Sequence, residues 1–249
     1  TYTYCFEDNW PYLGDYDMND VVIVSRIDRM TSKDGSKVSA LTINWELRAA
    51  GTTYDIAGAV QMDKVQTSDV ANVESSHKGF GSGMFASQGL DADSPYAVIP
   101  FFNKTEELLS ASNTWKGHLA AATRKHITTV TFSQPVDIAS VLDSEMNFFI
   151  TPKQRTSEIH MPGYAPTASG IIGKGSFLPS DPYRFFVTEG DQLKNNYMMW
   201  ALVIPGEFRY PAETNDIRGV YEYFMTWASS NGTEHTEWYR ESADADKIY

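Results

Sequence analysis

The stretch "ALTINWELRAA" (residues 40–50) sets Leu41, Ile43, Trp45 and Leu47 at every second position, with Thr42, Asn44 and Glu46 between them. Period two marks a strand with one face in a core, because successive side chains leave a pleated backbone on opposite sides. Outward from it, "TYDIAGAVQM" (53–62) repeats the pattern with Tyr54, Ile56, Val60 and Met62, and the "GT" at 51–52 reads as a tight turn, so the two segments are expected to pair as a hairpin. Further strands are expected at 21–27, 96–102, 126–133, 146–151, 157–161 and 197–204. Many short strands separated by turn signals predict a mainly β chain, sandwich-like or jelly-roll-like.

One segment changes period. In "NDIRGVYEYFMTWASSNG" (215–232), Ile217, Val220, Tyr221, Phe224, Trp227 and Ala228 follow helical spacing, with Asn215 or Asp216 placed to cap the start and Gly232 to end it. This predicts one C-terminal amphipathic helix, about 215–230, packed on the sheet. Two long stretches read as loops, the Gly/Ser-rich 75–95 and the Pro/Gly-rich 161–182, and both are expected to wrap over the core or to serve function. Neither has a linker's composition, so residues 1–249 are read as one domain.

The chain has 249 residues, 42% of them apolar, enough for a sizeable core. Thirty-two acidic against 20 basic residues give a formal charge of -12, which opposes nucleic-acid backbones and anionic membrane surfaces and favours cations. A single cysteine, Cys5, excludes an intrachain disulfide framework and Cys-based zinc sites. No apolar run reaches the ~20 residues of a membrane-spanning helix.

The densest chemistry lies in "GDYDMNDVVIV" (14–24), where Asp15, Asp17, Asn19 and Asp20 crowd against a β-branched strand. Carboxylate and amide oxygens at alternate positions of an extended loop face one way and are hard ligands of the kind Ca²⁺ takes. An EF-hand is excluded: Asp20 stands where that loop needs glycine, and Arg26 where it needs a bidentate glutamate. Ca²⁺ takes about six to eight oxygens, so Glu7, Asp8 and the distant Glu158 are the further candidates. Turn capping by solvated aspartates is the competing explanation.

Other motifs carry less. No histidine pair has zinc spacing; His160 sits two residues after Glu158 and is expected to hydrogen-bond at a strand end. Ser82 in "GFGSGMF", "SSHK" (75–78) and "GKGSF" (173–177) fail the nucleophile-elbow, S-x-x-K and phosphate-loop patterns in context. Asn103 and Asn231 head N-x-[ST] sequons, which matter only in a eukaryotic secretory pathway.

"FEDNWPYLGDYDMNDVVI" (6–23), "SEIHMPGYAPT" (157–167) and the blocks of 198–239 resemble, in order along the chain, the pattern of the LruC-type domain family, with Met199 in place of a proline before Trp200 and "SSNG" in place of a Ser-Gly-Gly ending. The resemblance implies a β-rich domain of unknown function, common in exported lipoproteins of Gram-negative gut anaerobes. It therefore implies a cell-surface, outer-membrane-associated or extracellular location and a precursor with a lipid anchor or signal. It also places the acidic loop and "EIH" in one pattern, making Glu158 the first choice for a distant ligand and His160 a supporting partner.

The leading functional expectation is a non-catalytic surface module with a structural Ca²⁺ site that binds a glycan or protein partner, in the manner of an adhesin. The alternatives are a polysaccharide hydrolase with paired carboxylates and a structural subunit of a surface fibre.

Overall fold

The computed structural model describes residues 1–10, 14–117, 122–170, 177–178, 181–185 and 199–249. Its strands are β1 (Tyr2–Phe6), β2 (Val21–Thr31), β3 (Lys37–Ala49), β4 (Ile56–Gln66), β5 (Val70–Ser75), β6 (Tyr96–Phe102), β7 (Lys125–Asp137), β8 (Met146–Pro152), β9 (Ile159–His160), β10 (Phe177–Leu178), β11 (Asp181–Phe185) and β12 (Ala201–Pro205). One antiparallel sheet runs β12-β1-β2-β3-β7-β5 and a second runs β6-β4-β8-β9, with β10 and β11 paired apart from both.

The two larger sheets pack face to face through aromatic rings. Tyr4 of β1 stacks on Phe148 of β8 at 4.0 Å between centroids, and Trp45 of β3 lies 5.0 Å from Phe101 of β6. Leu41, Ile43, Trp45 and Leu47 all point into this core, as their alternation requires. The arrangement is the expected mainly β sandwich. By contrast β6, β4 and β8 are buried on both faces. The 76–95 segment explains this: its Phe85 packs with Ala57, Ala59, Val98 and Phe149 on the outer face of the second sheet. Buried Asn103 fixes that cover by accepting from Phe85 N–H and donating to the Gly81 and Phe85 carbonyls, so the sequon asparagine is an anchor of the fold.

Two expectations are corrected. Segments 40–50 and 53–62 do not form a hairpin, because β3 pairs with β2 and β7 whereas β4 pairs with β6 and β8 in the other sheet. The "GT" step is a crossing between sheets, held by hydrogen bonds from Gly51 N–H to the Asn19 and Asp20 carbonyls. The C-terminal helix is also interrupted, into α1 (Ile217–Val220) and α2 (Phe224–Ser229). Tyr221 between them is extended and bridges Ala243, while its buried ring meets Trp238 edge-on and its hydroxyl donates to the Arg209 carbonyl. Those tertiary bonds outweigh one more turn of helix. Asp216 caps α1 and Gly232, at φ +77°, closes α2, as the spacing predicts.

The expected strand at 157–161 shrinks to Ile159–His160, and that at 197–204 is seen as Ala201–Pro205, with residues 197–198 outside the described residues. Residues 171–176 and 179–180 of the 161–182 stretch, including the first four residues of "GKGSF", also lie outside them. Among the described residues no helix is long and apolar enough to cross a membrane.

A buried acidic chamber between the first strand and the C-terminal segment

Glu7 and Asp8 follow directly on β1, and the acidic loop returns the chain into β2. The loop is not extended. Tyr16 and Met18 take left-handed backbone (φ +56° and +58°), a conformation costly for large side chains, and both are fully buried. Tyr16 meets the rings of Trp200 and Phe224, and its hydroxyl accepts from Met199 N–H at 3.1 Å. The core thus takes the apolar half of "DYDM" and turns the carboxylates to the other side.

There Glu7, Asp15 and Asp17 bring carboxylate oxygens within 4.8 Å of one another. Glu7 is completely buried; its Oε1 accepts from Met18 N–H at 2.5 Å and its Oε2 has no donor. Asp17 accepts from Asn19 N–H at 3.2 Å and Thr214 N–H at 2.8 Å. Asp15 is exposed and forms the mouth. Asp20 accepts from Asp8 N–H at 2.7 Å, and Asp8 accepts from the Thr52 hydroxyl while its Oδ1 stays unpaired. Asn19 turns away from Asp15 and Asp17: its amide donates to the Pro211 carbonyl at 3.1 Å, and its Oδ1 is buried without a donor.

Among the described residues no salt bridge reaches Glu7, Asp8, Asp15, Asp17, Asp20 or Glu213. Burial pushes the Glu7 and Asp20 carboxyls well above the usual range, and their acidic neighbours push them further. Asp17 rises to about 8, from burial and then from Asp15 and Glu213. Asp8 and Glu213 are raised as well, again chiefly by burial. Left ionised, the set keeps buried carboxylate oxygens without donors, a cost that either protonation or a bound cation removes. As ligands, an all-oxygen set of carboxylates and a carboxamide suits Ca²⁺ or Mg²⁺ over softer metals.

Glu158 and His160 stand in a different network, which corrects the expectation that Glu158 serves the loop. Glu158 accepts from Arg155, from the Thr167 N–H at 2.7 Å and hydroxyl at 2.5 Å, and faces His160 Nε2 at 3.0 Å. Burial pushes its carboxyl up, but His160, Thr167 and Arg155 outweigh that and hold it below the usual value. His160 is anchored through Nδ1 to Asn147 Oδ1 at 2.7 Å and stacks on Phe149, so this is a structural clasp on the second sheet.

Sequence reasoning missed Glu213, Gly51 and Thr52. Glu213 sits in "YPAET", its Oε2 bonded to the Thr114 hydroxyl, close enough to push the Asp17 carboxyl up and to be pushed up itself by Asp15 and Asp8. Its one sequence signal is an acidic residue in a loop just ahead of a capped helix.

Fold and site together define a two-sheet β protein with a largely buried acidic cluster between its first strand pair and its C-terminal segment. The chain belongs to the family described as "Domain of unknown function (DUF4842)", whose model matches residues 36–239. The acidic loop precedes that span, whereas Gly51, Thr114 and Glu213 fall inside it. The chain is also similar to the crystal structure of a "Putative lipoprotein from Bacteroides ovatus", with 20% identity, a TM-score of 0.75, and coverage of 100% of this chain and 74% of that one. At that identity the likeness establishes a shared fold. Among curated proteins, none matches the chain.

Proposed function

We propose that the chain is a non-catalytic module of an exported, surface-associated protein, and that a Ca²⁺ ion in the acidic chamber holds its N-terminal loop in shape for binding a surface partner. One observation carries the ion: Glu7 Oε2, Asp8 Oδ1 and Asn19 Oδ1 are buried without a hydrogen-bond donor. The surface assignment is supported by the resemblance to LruC-type domains and by the likeness to a protein described as a lipoprotein.

A structural role is favoured over hydrolysis because Glu7, Asp17 and Asp20 are buried and Asp15 is the exposed member of this cluster, so a substrate does not reach a pair of facing carboxylates there. The partner class is a glycan: Trp115, 48% exposed, directly follows Thr114, the residue bonded to Glu213, and gives a stacking face beside the chamber. Chelator-stripped protein is titrated with Ca²⁺ and its unfolding midpoint followed. A ligand at about 100 times its Kd adds about 2.7 kcal/mol, a rise of about 5–10 °C for a chain of this size. No rise at millimolar Ca²⁺ refutes the ion. Glycan-array binding that requires both Ca²⁺ and Trp115 supports the partner class; binding to surface proteins alone replaces it with a protein partner.

A further inference from the structure

We infer that the chamber holds two divalent cations, a second lying between Asn19, Glu213 and Asp8 beside the first at Glu7, Asp15 and Asp17. This rests on the Ca²⁺ reading above and extends it to a site with its own residues.

The oxygens fall into two groups. Glu7, Asp15 and Asp17 form the first, all within 4.8 Å. Asn19 belongs to the second: the Pro211 carbonyl holds its amide nitrogen, which turns Oδ1 toward Gly51. Glu213 Oε2 arrives at the same place, 3.0 Å from where a Cβ on Gly51 would stand, and Asn19 Oδ1 comes closer still. Two acceptors therefore converge on one glycine. Thr114 donates to Glu213 Oε2, but nothing donates to Asn19 Oδ1, which is fully buried. Asp8, which accepts from Thr52, the residue after Gly51, is near enough to raise the Glu213 carboxyl, and its own Oδ1 is likewise buried and unpaired.

Charge points the same way. Glu7, Asp8, Asp15, Asp17, Asp20 and Glu213 share no ion-paired lysine or arginine among the described residues, and one divalent ion offsets the charge of only two of them. A carboxamide oxygen beside carboxylates is an ordinary Ca²⁺ donor set. Such an ion would also join the β1–β2 loop, the crossing at Gly51 and the segment carrying Glu213. A protonated Glu213 donating to Asn19 Oδ1 is the ion-free alternative.

The test counts ions. The chelator-stripped 249-residue chain is loaded with Ca²⁺ alone and examined by native mass spectrometry and titration calorimetry. Two ions per chain are expected in the unaltered protein. One is expected in Glu213→Gln, which retains the thermal rise from the first ion, and one in Gly51→Ala, which displaces the Asn19 carboxamide. Circular dichroism verifies that each variant is folded. One ion in the unaltered protein overturns this inference and leaves the Ca²⁺ reading standing, while none overturns both. Two ions retained in folded Glu213→Gln and Gly51→Ala refute the assignment of residues.

Discussion

Glu7 and Met18 close the acidic loop on itself: one carboxylate oxygen accepts the Met18 N–H at 2.5 Å while the other is buried with nothing to bond it. Glu7→Gln keeps the acceptor and puts an amide where the unpaired oxygen stands, facing Asp15 and Asp17. In chelator the variant is expected to be more stable than the parent by about 1 kcal/mol, since a buried uncompensated group is removed. With Ca²⁺ it is expected to lose the thermal rise. Midpoints measured with and without Ca²⁺ check both, and a full rise retained in the variant removes Glu7 from the site.

Gly58 of β4 lies directly under the Phe102 ring of β6, where an added Cβ would stand 2.6 Å from Cζ. Phe102 packs against Trp45 on the opposite sheet, 6.2 Å between centroids, and has little room to retreat. Gly58→Ala is therefore expected to cost about 1–3 kcal/mol by overpacking, read from urea unfolding. A neutral result shows that the sheets are looser here than the ring contacts indicate.

Arg155 joins buried Glu158 to Asp91, with 2.9 Å to the latter, and its guanidinium lies over the Phe85 ring at 4.6 Å. Arg155→Met preserves much of the packing and leaves Glu158 without the arginine that pairs with it. Breaking such a pair costs about 3–5 kcal/mol. Equilibrium unfolding is expected to show this loss without any change in Ca²⁺ stoichiometry, because the clasp and the chamber share no residue.

His126 stacks on Trp45 at 4.7 Å and meets His77 edge-on, and burial, then His77 and Arg124, lower it to about 4. A histidine with a lower value in the folded than in the unfolded state stays neutral on folding, and the unfolded chain binds the extra proton. Stability from this group is complete above about pH 6.5 and is lost as pH falls toward about 4. His126→Gln is expected to flatten that part of the midpoint-versus-pH curve, and an unchanged slope rejects the assignment.

Local pattern carried the strands well. Leu41, Ile43, Trp45 and Leu47 face the core as their period dictates, and 96–102 coincides with β6. Alternation states which face of a strand is buried, but not which strand lies beside it. For that reason 40–50 and 53–62 read as neighbours and are in fact in different sheets. Periodicity likewise marked Ile217 to Ala228 as a buried stripe, yet Tyr221 leaves the helix for the Ala243 bridge.

The same division governs the site. Sequence alone determined that Asp15, Asp17, Asn19 and Asp20 crowd together with Glu7 and Asp8 a few residues before them, because these are facts of spacing. Only the tertiary structure decided that Tyr16 and Met18 bury their side chains and reverse the backbone, that Asn19 parts from its neighbours, that Glu158 belongs elsewhere, and that Glu213 arrives from nearly two hundred residues on. Oxygens converge on a point through folds of the chain that spacing does not encode, and the burial that leaves them unpaired exists only once both sheets and the C-terminal segment have closed around them.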